Sequence, residues 1–292
     1  MKTLIVGCGY LGKTLGKNLV ESGSTVWGLR RDPLALKALE MIGIKPVQAD
    51  LTKPESLTRL PEVDHVVLCQ APSRITDSYR TTYYEATRNL IEAFHLKKPK
   101  KLVMISSTSV YGMRDGAWVD EETKPDDAGY LSKETEARAK ALLETEDLVL
   151  SGLIPSLVFR LGGIYGPKRN RLAALNDAGA HGRVPLPVFS KAYVNRVHVD
   201  DAVNGIKLLL EKGGPREIYL GVDDEPSTED EFYSWIYENL PIKRSADPEK
   251  INESDRGSNK RCSNKKMKKL GWALKYPTFR EGYEALMKEA KR

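Results

Sequence analysis

The sequence predicts an α/β fold, a Rossmann-type doubly wound parallel sheet with helices on both faces and a smaller C-terminal cap. Three observations predict it. Short β-branched runs alternate with helical patterns up to residue 161. The runs are continuously apolar, as strands covered on both faces are, rather than alternating. A glycine-rich stretch, Gly7-Cys8-Gly9-Tyr10-Leu11-Gly12, joins the first run to the first helical pattern.

The elements follow in order. Residues 3–7 (TLIVG) read as a strand and 10–21 as a helix. Residues 25–29 (TVWGL) are a second strand, followed by a helix over 33–41. A short strand at 45–48 precedes a helix near 54–59. HVVLC (65–69) is the fourth strand, with a helix over 78–95. KLVMIS (101–106) is the fifth, with a helix over 129–145, and SLVFRL (156–161) is the sixth. Right-handed crossovers then make the sheet parallel. Beyond residue 162, Gly166-Pro167, Pro185, Pro187 and Pro226 punctuate the pattern. A helix at 200–211 and a strand at 217–220 return to the main domain. The division is therefore 1–166 with 194–222 for the main domain, and 167–193 with 223–292 for the cap.

Composition narrows the class. The chain has 292 residues, 40% hydrophobic and 29% charged, which suits a folded globular protein rather than a disordered or fibrous one. Its three cysteines, Cys8, Cys69 and Cys262, cannot all pair, which points to reduced thiols and a cytoplasmic protein. The most apolar stretch, 148–159, is shorter than the roughly 18–20 residues that cross a bilayer and is interrupted by Pro155. The net charge of +6 equals the six positives Lys260, Arg261, Lys265, Lys266, Lys268 and Lys269. That cluster reads as a solvated surface or the wall of a phosphate pocket. It lacks the interleaved aromatics that stack bases, which argues against nucleic acid. The histidines show no metal-ligand spacing.

The glycine loop carries the first functional expectation. A G-x-G-x-x-G motif between a strand and a helix cradles a dinucleotide pyrophosphate. Gly7 permits the tight turn, Gly9 lets backbone approach the phosphates, and Gly12 allows close helix–strand packing. Tyr10 and Leu11 open the helix whose free N–H groups face the phosphates. An acid about 20 residues after the loop would bind the ribose hydroxyl of NAD. Arg30 and Arg31 stand there instead, and a guanidinium pairs with the 2′-phosphate of NADP. NADP is expected over NAD, unless both arginines are surface charges. Asp50, after the third strand, either accepts from the adenine amino group or caps the next segment. Leu51 and Ala71 complete the expected cofactor contacts.

Ser106-Ser107-Thr108-Ser109-Val110-Tyr111-Gly112 resembles the strand-end motif of the extended short-chain dehydrogenases/reductases, the NAD-dependent epimerase/dehydratase group. Residues 87–93 (TRNLIEA), 159–167 (FRLGGIYGP) and 197–202 (VHVDDA) are similar to that family's further motifs, in the right order. The resemblance implies a Rossmann domain binding NAD(P), a cap that holds a small-molecule substrate such as a nucleotide-sugar, and a homodimer formed through the helices near 78–95 and 129–145. It also implies a catalytic Ser at Ser107 and a catalytic Lys at Lys133, which would also hold the nicotinamide ribose. The family's proton-accepting Tyr stands four residues before that Lys. Here Gly129 occupies the place and Tyr130 follows one position late. Tyr130 is the candidate, with Tyr111 a possible stand-in. Tyr83 stands where the family usually has Asn. No Asp or Glu follows Ser107, which disfavours a dehydratase. Arg160 and His198 read as structural. The expectation is an atypical NADP-dependent oxidoreductase or epimerase-like enzyme. The alternative is a catalytically silent NADP-binding regulatory protein.

Overall fold

A computed structural model of the chain describes residues 1–72, 78–125, 132–172, 191–239 and 259–290. The apolar runs become strands β1 (Lys2–Val6), β2 (Thr25–Arg30), β3 (Lys45–Gln48), β4 (His65–Leu68) and β5 (Lys101–Ser107). After the two-residue β6 (Trp118–Val119) come β7 (Ser156–Leu161), β8 (Gly163–Tyr165), β9 (Tyr193–Val194), β10 (Arg196–His198) and β11 (Ile218–Gly221). Seven of them form one sheet in the order β11-β7-β5-β4-β1-β2-β3, and every pairing in it is parallel. The strand order reverses direction between β1 and β4. This is the doubly wound topology that the alternation predicts.

Neighbouring residues of each strand enter opposite layers. Leu4, Val6, Val66, Leu68, Leu102 and Met104 pack on one face, and Ile5, Val67, Val103 and Phe159 on the other. The first face is covered by α3 (Ala86–Ala93) and α4 (Lys133–Ser151), through Leu90, Leu142 and Val149. The second is covered by α1 (Tyr10–Glu21), α2 (Leu34–Glu40) and α5 (Val199–Lys212). Helix α1 buries Leu11, Leu15 and Leu19, a stripe at four-residue spacing. Lys101 closes the far end of α5 by donating to the carbonyls of Leu209, Leu210 and Gly213 at 2.9–3.1 Å, a favourable place for a cation.

Several expected elements differ in detail. The helix near 54–59 is a single 3-10 turn, Pro54–Leu57. The helix over 78–95 contains a π-turn, Thr81–Glu85, before α3 begins. The helix expected at 129–145 is α4, and it runs on to Ser151. Its start is set by a capping box: Thr135 N–H donates to Ser132 Oγ, and the Thr135 hydroxyl accepts from Ser132 N–H. Residues 129–131 lie outside the described residues.

The C-terminal part is less uniform than a separate cap. Helices α6 (Glu229–Asn239) and α8 (Phe279–Ala290) join Tyr165 and Leu172 in a third apolar cluster built on Phe232, Phe279 and Tyr283. One short pair ties this region back to the segment before α5, β9 with β12 (Ser227–Thr228), while β8 pairs with β10 inside the main domain. Within 223–292, however, Cys262, Met267 and Trp272 pack into the two layers on the central sheet. Trp272 meets the Phe159 ring edge-on at 6.1 Å. Strand β13 (Arg261–Cys262) pairs with β6, and α7 (Lys265–Leu270) follows it. Two members of the basic run are ion-paired, Lys266 with Glu217 and Lys268 with Asp224, and Lys275 just beyond it reaches Asp200. None of these lysines lines the cleft described below. Among the described residues, no helix is long and apolar enough to cross a membrane.

Candidate active site

A cleft of about 620 Å³ opens at the carboxyl ends of the strands, where β1 and β4 part, the position at which open α/β sheets bind ligands. Gly7, Gly9, Tyr10 and Leu11 form its floor, and Arg30, Arg31, Asp50 and Leu51 one end. Cys69, Gln70 and Ala71 line its middle, and Ser106 and Ser107 the other end. Every expected cofactor contact but two thus faces one cavity. Gly12 is not on the lining. A Cβ there would stand 3.0 Å from Ile5 Cγ2, so this glycine brings α1 close to β1. Lys133 is exposed on the first turn of α4 and is also absent from the lining.

The cleft fits a dinucleotide. Gly7 has φ +71°, and a Cβ on it would lie 2.5 Å from Gln70 Cα, so the loop and β4 meet backbone to backbone. The N-terminus of α1 has no side-chain cap and no acid in its first turn, leaving its free N–H groups to an anion. Gln70 donates to Thr87 Oγ1 at 2.8 Å, while its Oε1 is buried with no hydrogen-bond partner. That acceptor faces a cleft that can supply a ribose hydroxyl or an amide.

At the ribose end, an Arg30 nitrogen lies 3.4 Å from the Cβ position of Gly9, beside the phosphate loop. Asp32 also lines this end, but its Oδ1 accepts from Leu34 N–H at 3.0 Å and serves the start of α2. Asp50 Oδ1 accepts from the Thr52 N–H and hydroxyl at 3.0 and 2.7 Å. These bonds close a local turn only: the 3-10 turn Pro54–Leu57 has Lys53 at its N-cap and no side-chain cap, so the capping role is not realised, and Asp50 lines the cleft.

At the other end, Ser107 closes β5. Its Oγ accepts from Ser109 N–H at 3.1 Å, which leaves the hydroxyl proton to donate elsewhere. Tyr130 lies outside the described residues. Tyr111 is not a stand-in: it is fully buried, its hydroxyl donates to Asp120 O at 2.7 Å and accepts from Arg160 at 2.7 Å, and burial pushes its pKa up to about 12. Arg160 belongs to the same buried network. Its Nε and Nη2 donate to Glu146, which also accepts from the Ser106 hydroxyl at 2.5 Å.

The sequence reading left two arginines of the lining unmentioned. Arg138, on α4, lies five residues past Lys133, and its charge works against the burial that raises the Tyr83 pKa. Arg169 lies over the Tyr10 ring at 5.5 Å. Neither belongs to a spaced motif, so only the folded chain places them on the same cleft as Ser107.

His198 is buried, and its Nδ1 accepts from Asp200 N–H at 3.2 Å as the cap of α5. Its ring lies against Tyr165 and Tyr276. Burial pushes its pKa down to about 4, against the pull of Asp200 and with the push of Lys275. The folded state therefore excludes a proton that the unfolded chain takes up near pH 6.5. Stability is full above that pH and falls as the pH drops towards 4. Asp201, raised by burial to about 6, works the other way over nearly the same range. His198→Asn keeps a capping oxygen and removes only the first effect. Its stability should rise relative to the native chain by about 2–3 kcal/mol between pH 6.5 and 4. Urea melts across that range check it, and parallel pH profiles for the two proteins would refute it.

Comparison with known proteins agrees with this geometry. The model of the NAD dependent epimerase/dehydratase family matches residues 3–221. Protein YeeZ of Escherichia coli K12 is 28% identical over 290 residues, covering 94% of this chain and 96% of that one. A functionally unknown conserved protein from Silicibacter pomeroyi superposes with a TM-score of 0.78 at 29% identity, over 99% of this chain and 98% of its own. UDP-glucuronic acid 4-epimerase from Bacillus cereus, solved with UDP-glucuronic acid and NAD, shares the fold with a TM-score of 0.78 at 21% identity, over 98% of this chain and 97% of its own. With three-quarters of its length matched, the chain belongs to the NAD-dependent epimerase/dehydratase family of enzymes.

Proposed function

We propose that the chain is an NADP-dependent oxidoreductase or epimerase-like enzyme of the cytoplasm, acting on a sugar nucleotide or a related small carbonyl or hydroxyl compound. The observation that carries the cofactor choice is the ribose end of the cleft. Arg30 and Arg31 line it, and the nearby Asp32 carboxylate is engaged by Leu34 N–H. A 2′-phosphate meets guanidinium there, and the acid nearest the end of β2, Asp32, already uses one oxygen at the start of α2. When bound, the nicotinamide supplies or takes up a hydride. Ser107 then orients the reacting oxygen with its free hydroxyl proton. Arg169 supports an anionic substrate: it lines the cleft, and among the described residues it forms no ion pair. The epimerase neighbour from Bacillus cereus binds UDP-glucuronic acid, which agrees with a nucleotide-sugar here. Unpaired Cys8 and buried Cys262 fit a reducing compartment. Lys133 and Tyr130 stay in the proposal as the family-type pair. The exposure of Lys133 favours a second reading, an NADP-binding regulatory protein without turnover.

Calorimetric titration tests the cofactor. Each charge-assisted hydrogen bond contributes about 1.5–3 kcal/mol. Arg30→Ala/Arg31→Ala should therefore weaken NADPH at least about tenfold and leave NADH nearly unchanged. Tighter NADH than NADPH binding by the native chain would overturn the NADP assignment. Turnover of any carbonyl compound with bound NADPH eliminates the silent reading.

A further inference from the structure

Directly after β8 the chain makes a tight turn over residues 166–169. Gly166 and Arg169 exchange two backbone hydrogen bonds of 3.0 Å, with Pro167 and Lys168 at the corners. Proline holds φ at about −65° at the first corner. Lys168 has φ +63° at the second, a left-handed place that glycine or asparagine usually takes. Backbone held against its preference in this way collects at ligand clamps and active sites. The flanking chain holds the turn in place. Asn170 Nδ2 donates to Gly166 O at 2.9 Å, and its Oδ1 accepts from Leu172 N–H at 3.0 Å. Leu172 is in turn buried in the third apolar cluster.

Both ends of the turn bear on Tyr10, the first residue of α1. A Cβ on Gly166 would stand 2.7 Å from the Tyr10 hydroxyl oxygen, so the missing side chain is what lets the turn approach. At the other end the Arg169 guanidinium lies over the Tyr10 ring at 5.5 Å, and Arg169 lines the cleft together with Gly7 and Gly9. Arg169 is exposed, and among the described residues it forms no ion pair. The carboxylates on the described lining, Asp32 and Asp50, stand at the ribose end. A guanidinium without a counter-ion and the uncapped start of α1 therefore border one cavity.

We infer that Arg169 binds a diphosphate in this cleft, presented by the strained turn and steadied on the Tyr10 ring. The inference rests on the oxidoreductase reading and adds to it a cation from the second half of the chain. Donors reach that space from two separate elements, the first turn of α1 and the turn over 166–169. A diphosphate offers oxygens on both sides of its bridge, whereas the two oxygens of a carboxylate are taken up by one arginine fork. The ring beneath the guanidinium excludes water from one of its faces and strengthens the pairing. The dinucleotide and a nucleoside-diphosphate substrate present the same oxygens.

Calorimetric titration of the full chain tests the assignment and separates the two sources. With the dinucleotide as source, Arg169→Met should weaken NADPH and NADH alike, by about 10–100-fold. Adenosine 2′-monophosphate, which has no diphosphate, should stay within about threefold. With the substrate as source, NADPH is unaffected, and UDP added to the NADPH-saturated protein weakens by the same factor. Arg169→Lys keeps the charge without the fork and should recover part of either loss. Lys168→Met removes the neighbouring cation, which is not on the lining, and should leave every affinity within about threefold. Unchanged NADPH, NADH and UDP binding in Arg169→Met overturns the inference. An equal loss in Lys168→Met overturns it too, because the effect is then a general field of charge. A loss confined to NADPH also does so, since it assigns Arg169 to the 2′-phosphate. Failure of the native chain to bind NADPH overturns the oxidoreductase reading itself, and the native titration shows that before any variant is compared.

Discussion

Arg160→Met is expected to cost about 3–5 kcal/mol of folding stability, because it leaves a carboxylate buried without its cation. Arg160 is 3% exposed and Glu146 2%. The guanidinium donates to both Glu146 oxygens and to Tyr111. For a chain of this size the loss corresponds to a midpoint lowered by about 10 °C. The double variant Arg160→Met/Glu146→Met should regain part of it, since two apolar side chains need no solvation. It does not regain all, because the Ser106 hydroxyl then loses its acceptor. Urea unfolding of the two single variants and the double gives the coupling directly. Additive losses, or a single-variant loss below about 1 kcal/mol, would show that the network is not the stabilising unit described. The network also matters for the site. Ser106 lines the cleft beside Ser107, so Glu146 and Arg160 anchor the end of β5 from beneath.

Gly7→Ala should be damaging twice over. The left-handed backbone at φ +71° costs an alanine about 1–2 kcal/mol. The new methyl would also sit 2.5 and 2.6 Å from Gln70 Cα and N and 2.9 Å from Cys69 C. Those are backbone atoms, so β4 or the loop must shift, at about 1–3 kcal/mol more. Gly23→Ala is the control: its φ is +79°, but nothing lies within 4 Å of the added atom. The prediction is a loss of about 2–5 kcal/mol at Gly7, about 1–2 at Gly23, and NADPH binding weakened at least about tenfold at Gly7 only. Equal losses in the two urea melts would mean that the close approach between loop and β4 does not constrain the fold.

The two halves of the site differ in how far the chain announced them. The cofactor half was legible because it rests on local rules. Strand, glycines and helix are contiguous, and Arg30 follows at the end of the next strand, so spacing along the chain carries the geometry. The substrate half was legible only in part. Ser107 ends a strand and could be counted from its motif. Tyr83 showed as an oddity without a role, and Arg138 and Arg169 were silent. Their meeting depends on the packing of α4 against the π-turn and on the path of the chain after β8, which no periodicity encodes. The same holds for the small parallel pair of β6 and β13: residues 118 and 261 are far apart in sequence, and neither run is long enough to read as a strand.

Alternating apolar runs and helical stripes thus sufficed to specify the sheet, its two covered faces and the diphosphate-binding turn, because each arises from neighbours within a few residues of one another. Which side chains line the far end of the cleft was settled only in three dimensions. It depends on contacts between segments distant in sequence, and those are set by how the layers pack.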